Sequence, residues 1–248
     1  MKKLAKCIDG GHDMNTLELY PTTDQRVIFC GDLHGEIDLL LSSLSSVGFD
    51  LEKDVLIAVG DLIDRGTDSI KTLTHFLNTP NFYSVVGNHE AMMLQTMHHN
   101  VGIRDWITNG GGWIESAGKP IVKQLADRIN FPYAISVLHK SVWVGVTHAG
   151  LPYEIDDWND MLKRVDSNDN KVIEAILWDR EIISTPEWYT RKHVLNIDWA
   201  ICGHTPVEDP IQIANRLYID TGACFKGQGK LTLLEFIDNK PVYNFFEK

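Results

Sequence analysis

The sequence predicts an α/β fold in which two mixed β-sheets pack as a central sandwich flanked by helices. Three observations carry that prediction. Short β-branched apolar runs recur along the chain, each ending in a polar loop marked by Gly, Asp or Thr. Helical patterns lie between the early runs, so the first half reads βαβαβ and implies a partly parallel sheet. The last stretch turns to strand-like runs joined by short turns, the mark of hairpins.

The elements follow in order. Residues 26–30 (RVIFC) lead into GDLHG, and Ile37, Leu40, Leu41, Leu44 and Val47 then keep the three-four spacing of one helical face. Residues 54–59 lead into GDLIDRG, and Ile70, Leu73 and Leu77 follow with a looser helical spacing. Residues 82–86 lead into GNHE, 142–146 into THAG and 199–202 into GHTP. Runs this short and this apolar read as strands buried on both faces. Residues 216–219, 231–237 and 242–246 form the late strands. The stretch 156–196 is polar, acidic and rich in Trp, and reads as helices and loops that cap the edge where the site lies.

With 248 residues, 44% of them hydrophobic, the chain suits one sizeable domain spanning 1–248, with two small domains as the alternative. The formal net charge of −11 repels nucleic acid and anionic membranes, so neither is expected as a bulk partner. An anionic substrate is not excluded, because a bound cation reverses the local potential. Cys7, Cys30, Cys202 and Cys224 form no CxxC pair, and no apolar secretory segment follows Met1-Lys2-Lys3. Free thiols in a reducing cytoplasm are expected. No apolar run approaches membrane-spanning length.

Strand C-termini of α/β folds gather at one edge, and groups placed there converge. That edge collects Asp32, His34, Asp61, Asp64, Arg65, Asn88, His89, His148 and His204. Each alone is bland: an Asp after a strand caps a turn, and a buried His is a hydrogen-bonded core residue. Recurrence changes the reading, because five strand ends each carry a metal-type ligand beside Gly or Thr. Imidazole, carboxylate and amide oxygen without thiolate suit Mn, Fe or Zn. Three His, two Asp and one Asn exceed one open site and suit two ions sharing a carboxylate, roughly 3.5–4 Å apart. Such a pair lowers the pKa of a bound water towards ~7 and serves phosphoester hydrolysis.

The series GDLHG, GDLIDRG, GNHE, THAG and GHTP resembles the calcineurin-like metallophosphatases, in particular the Ser/Thr phosphoprotein phosphatase branch and its bacteriophage lambda phosphatase group. TNGGGW at 108–113, LWDRE at 177–181 and YIDTGA at 218–223 are similar to that group too, and the likeness spans about residues 24–236. The resemblance implies a calcineurin-like fold and a dinuclear, metal-dependent phosphomonoesterase. The expected substrate is a phosphoserine or phosphothreonine protein, with phosphotyrosine open as a further one, and the expected nucleophile is a metal-bridging hydroxide. It implies two divalent or trivalent ions, Mn2+ first, with Fe or Zn as alternatives. Asp32, His34 and Asp61 would hold one ion, and Asp61, Asn88, His148 and His204 the second. Asp64 would keep His89 oriented and protonated as general acid. Arg65, Arg180 and Asn88 would bind phosphoryl oxygens, the two guanidiniums as planar forks. A cytoplasmic monomer is expected.

One position departs from that pattern: Val86 stands before the Gly of GNHE, where many members have Arg. This bears on phosphate affinity and substrate choice, and Arg104 is a candidate to compensate. A diadenosine polyphosphate hydrolase or another small-molecule phosphatase is the alternative, and a non-catalytic scaffold the remote one. GGGWIESAGKP at 110–120 has the wrong spacing for a phosphate loop and reads as a loop over the cleft. No Cys is followed six positions later by Arg, and no GxSxG elbow occurs. His98 and His99 read as a solvated helix end. His12, His75, His139 and His193 carry no expected role, and Trp158, Trp178, Trp188 and Trp199 are expected in the core.

Overall fold

The computed structural model describes residues 15–185 and 193–247. Cys7, His12, Trp188 and part of the 156–196 stretch lie outside the described residues.

The early β-branched runs form β2 (Val27–Cys30), β3 (Val55–Ala58) and β4 (Phe82–Ser84), parallel neighbours in a five-stranded sheet. Its other edge is the hairpin β10 (Lys230–Ile237) and β11 (Lys240–Glu247), ordered β11-β10-β2-β3-β4. The hairpin turn is Asp238-Asn239, with φ of 49° and 62°, as a two-residue turn matched to strand twist requires. A six-stranded sheet, ordered β1-β5-β6-β7-β9-β8, packs against the first. It consists of β1 (Thr16–Leu19), β5 (Ala134–His139), β6 (Val142–Thr147), β7 (Trp199–Cys202), β8 (Ile211–Ile213) and β9 (Arg216–Tyr218). The parallel pairs β6–β7 and β7–β9 bring another set of strand ends to the edge reached by β2, β3 and β4.

The pleat decides which side chains meet. Val27, Phe29, Val55 and Ile57 of one sheet face Ile135, Val137, Val144, Val146 and Ile201 of the other across a dry interior. Ile28, Cys30, Leu56 and Ala58 point the other way, into the layer under the helices. Here α1 (Ile37–Ser46) buries Ile37, Leu40 and Leu44, and α2 (Ser69–Asn78) buries Leu73 and Phe76. The Asp68 carboxylate caps α2 by accepting the Lys71 N–H at 2.8 Å. The helix α3 (Asn88–His99) is buried on nearly every side from Asn88 to Met97. The helices α4 (Ile103–Thr108), α5 (Ile114–Ala117) and α6 (Lys119–Ala126) follow it. On the six-stranded sheet, α7 (Trp158–Asp166) sets Trp158 over Gly145 and donates its indole N–H to Ser136 at 2.8 Å. Next, α8 (Asn170–Trp178) and α9 (Glu181–Ser184) lead back to the strand edge. Among the described residues no helix is long and apolar enough to cross a membrane.

Candidate metal and phosphate site

The site grows out of five strand-to-loop junctions. His34 follows β2, Asp61, Asp64 and Arg65 follow β3, Asn88 and His89 open α3 after β4, His148 follows β6 and His204 follows β7. His34, Asp61, Asp64, Arg65 and His204 all have positive φ, between 44° and 74°. Left-handed backbone costs about 1 kcal/mol or more per non-glycine residue, so the surroundings must impose it. Glu90 supplies part of that constraint. Its buried carboxylate accepts the N–H groups of Asp61, Leu62 and Gly87 at 2.8–2.9 Å and of Ile63 at 3.3 Å. Gly87 is required because a Cβ there would fall 2.2 Å from Asp61 Oδ1.

Asp61 is the centre. Its Oδ2 lies 3.6 Å from His34 Nε2 and 3.8 Å from His89 Nε2, and its Oδ1 lies 3.4 Å from His148 Nε2. Two groups of ligand atoms, each within 4.8 Å of one another, share it: His34–Asp61–His89 and Asp61–His148–His204. The carbonyls of Ile63 and Val59 each stand 2.8 Å from Nδ1 of His34 and His148, so Nδ1 donates and Nε2 faces the cavity. Asn88 Oδ1 sits 2.9 Å from both His148 Nε2 and His204 Nδ1.

Of the residues expected to hold the first ion, His34 and Asp61 come together. Both oxygens of the buried Asp32 carboxylate face the backbone N–H of His204, at 3.1 and 3.2 Å. His89 joins His34 and Asp61 in the close group. His89 Nδ1 donates to Asp64 Oδ2 at 2.7 Å, while its buried Nε2 has no hydrogen-bond partner among the described residues. Arg65 is exposed and reaches His34 Nε2 with Nη1 at 2.7 Å. Arg180 is exposed between α8 and α9, and its charge acts on His204.

The electrostatics fit cations. Burial, with His89 and Arg65 adding to it, holds the His34 imidazole down to about 3. Burial, His148 and Arg180 hold His204 down to about 3 as well. Both rings are therefore neutral lone-pair donors at neutral pH. Burial opposes charge on His148 too, but Asp61 outweighs it and raises that imidazole. Burial, then the charges of Asp220 and Asp61, push Asp32 well above the usual carboxylate range. Asp61 goes the other way: burial opposes its charge, and His148, His89 and His34 outweigh burial. Burial pushes Asp220 up to about 6 against the N–H of Gly222, and Asp61 adds to the rise. Three crowded, buried carboxylates, neutral imidazoles and an orphaned His89 Nε2 fit a pair of N/O-liganded ions sharing Asp61.

Residues 25–208 match the calcineurin-like phosphoesterase family. The chain belongs to that family. It is 36% identical over 201 residues to serine/threonine-protein phosphatase 2 of Salmonella typhimurium, covering 79% of this chain and 87% of the relative. A symmetrical bis(5'-nucleosyl)-tetraphosphatase of Shewanella loihica is 32% identical over 152 residues, covering 61% of this chain and 52% of the relative. A protein serine/threonine phosphatase structure from Saccharomyces cerevisiae superposes with a TM-score of 0.66 over 95% of this chain and 84% of that one, at 17% identity, a likeness of fold.

In this phosphoesterase several residues join the site without having been foreseen from the sequence: Glu90, Asp220, Trp106 and Trp113. Glu90 and Asp220 lie inside motifs, GNHE and YIDTGA, so their position was visible though their function was not. Val86 is buried in the core under α3, and Arg104 is exposed on α4. His98 meets Asp127 at 3.0 Å on the surface, as expected of a helix end. Cys30, Cys202 and Cys224 are free thiols.

Proposed function

We propose that this calcineurin-like phosphoesterase is a serine/threonine protein phosphatase. The observation that carries the reading is the pair of ligand groups sharing Asp61, with the His89–Asp64 pair beside it. The similarity to the Salmonella phosphatase over most of both chains supports a phosphoprotein substrate.

Asp61 would be common to both ions, with His34 and Asp32 on one side and Asn88, His148 and His204 on the other. Mn2+ is the proposed occupant, with Fe or Zn as alternatives; when bound, the pair polarises a phosphoryl oxygen and lowers the pKa of a water to supply the nucleophile. Arg65 and Arg180 flank the ligand groups and orient the phosphoryl oxygens, with Asn88 beside them. Arg65 exchanges its present contact with His34 Nε2 for the phosphate. His89 Nε2 delivers its proton to the leaving alkoxide oxygen, and Asp64 holds the ring by Nδ1 throughout. Trp178, edge-on to His204 at 6.1 Å, supports the reading of 156–196 as the cap of a single domain, 1–248. We take the protein to be a cytoplasmic monomer.

The deciding experiment compares Mn2+-dependent phosphate release from phosphoserine and phosphothreonine peptides with cleavage of a dinucleotide tetraphosphate. Preference for the peptides is expected. Preference for the dinucleotide would favour the alternative to which the Shewanella relative points.

A further inference from the structure

We propose that Trp106 and Trp113 are positioning residues for the proton transfer, acting on His89 through Asp64. This rests on the proposed role of His89. The Asp64 carboxylate is completely buried and receives three N–H groups. His89 Nδ1 and Trp106 Nε1 reach Oδ2 at 2.7 and 2.8 Å, and Trp113 Nε1 reaches Oδ1 at 2.7 Å. Each of these three partners is a donor, and a carboxylate that only accepts satisfies all three. An indole N–H has no acceptor capacity, so the two rings can do nothing at this carboxylate except donate.

The protein is built to keep both rings there. Trp106 lies on α4, fully buried, and Trp113 ends the tight turn Gly111–Trp113. Their planes are perpendicular, at 88°, with centroids 5.8 Å apart. A Cβ at Gly111 would fall 2.5 Å from the Trp106 ring, so the TNGGGW turn closes on Trp106 only with glycine. The same turn accepts the Arg65 N–H through the Gly110 carbonyl at 3.3 Å. The Asp64 side chain is thus fixed on both oxygens, and a fixed carboxylate fixes the imidazole plane. The segment that the sequence reads as a loop is helical over 111–117, and its Trp113 holds Asp64.

The consequence is selective. A leaving alkoxide needs a proton in the transition state, whereas a nitrophenolate leaves without one; the tyrosine phenol, with a pKa of about 10, lies between. Misaligning His89 therefore harms alkyl esters more than activated aryl esters. The device favours serine and threonine phosphates.

The test uses the full-length, metal-loaded chain. Trp113→Phe keeps an aromatic ring and removes the N–H. It is expected to lower kcat on a phosphoserine peptide about tenfold with KM nearly unchanged, and to leave kcat on 2,4-dinitrophenyl phosphate within about twofold. Equal loss on both esters, or no loss on the peptide, overturns the proposal. A second readout needs no turnover. In 1H–15N spectra of the Zn2+-loaded protein, two indole protons should be shifted downfield and protected from exchange. Trp113→Phe should remove one, Trp106→Phe the other, and Asp64→Asn should move both. A Trp106 or Trp113 indole signal that exchanges freely overturns the proposal, the buried Trp158 indole bonded to Ser136 serving as the protected reference. Should wild type release no phosphate from any phosphopeptide, the substrate reading fails and the spectrum still decides the clamp. Trp113→Phe carries the test should Trp106→Phe fail to fold.

Discussion

His89 Nδ1 and Asp64 Oδ2 lie 2.7 Å apart with both side chains sealed from solvent, while His89 Nε2 points toward Asp61 with no partner of its own. One end of the ring is held and the other is free to act. That asymmetry suits a proton donor, and it also permits metal ligation, since Nε2 lies 3.8 Å from Asp61 Oδ2.

His89→Asn separates the two roles. As acid, its loss lowers turnover of a phosphoserine peptide by about 10²–10⁴ while two ions still bind. Turnover and metal content are measured on the same sample. A variant that binds one ion instead of two would make His89 a ligand.

Asp61→Asn tests the shared carboxylate. Each oxygen of Asp61 faces a different ligand group, Oδ2 toward His34 and Oδ1 toward His148. The amide keeps one acceptor and loses the charge, so affinity for both ions should fall together. Elemental analysis after dialysis checks this. Full occupancy of either position contradicts the sharing.

The pKa pattern predicts how metal loading responds to pH. His34 and His204, held down to about 3, carry no ring proton that a cation must displace above that pH. Asp32 and His148 are both raised, so in stripped protein each keeps its proton to a higher pH than usual. The sign follows: as pH falls toward the raised values, cations compete with protons at those two residues, affinity drops, and each ion bound releases protons. Calorimetry over a series of pH values, in buffers of different ionisation enthalpy, should show net proton release that grows as pH falls and is reduced in Asp32→Asn. Buffer-independent heats throughout the series would mean that neither group holds a proton.

Much of this was legible because the strands that carry chemistry end in the same way. Val27–Cys30, Val55–Ala58 and Trp199–Cys202 are buried on both faces, hence continuous apolar runs, and the ligand always follows the run. The late hairpin strands were visible too, but other strands without a ligand were harder to see. β1 and β8 are edge strands of four and three residues with exposed positions, too short for a period to register. β5 is apolar but has no functional loop behind it to draw the eye. Among site residues, sequence reveals types and spacing but not which oxygen faces which nitrogen. The sequence groups Asp32 with His34, but it does not reveal that both Asp32 oxygens also face the His204 N–H, at 3.1 and 3.2 Å. Trp106 was invisible for a related reason: a lone tryptophan in a short polar helix has no spacing to read, and only coordinates show where its N–H points.

Glu90 is the residue on which the loop geometry most depends. GDLIDRG bends through Asp61, Asp64 and Arg65 with φ of 50°, 74° and 66°. Such a bend leaves backbone N–H groups facing inward, where water cannot reach them. Glu90 accepts three of them from consecutive residues 61–63, and a fourth from Gly87 at the start of its own helix. Glu90→Gln replaces one acceptor oxygen by an NH2 that confronts those donors. Leaving buried donors without their acceptor costs about 1–3 kcal/mol, and a chain of this size loses roughly 2–4 °C of Tm per kcal/mol. The variant should melt several degrees lower. It should also bind both ions more weakly, because Asp61 is carried on the released loop. Thermal unfolding with and without added Mn2+ measures both effects at once: added metal should recover less stability in the variant than in wild type. A variant that melts with wild type and binds metal equally well would show that the left-handed loop holds itself without Glu90.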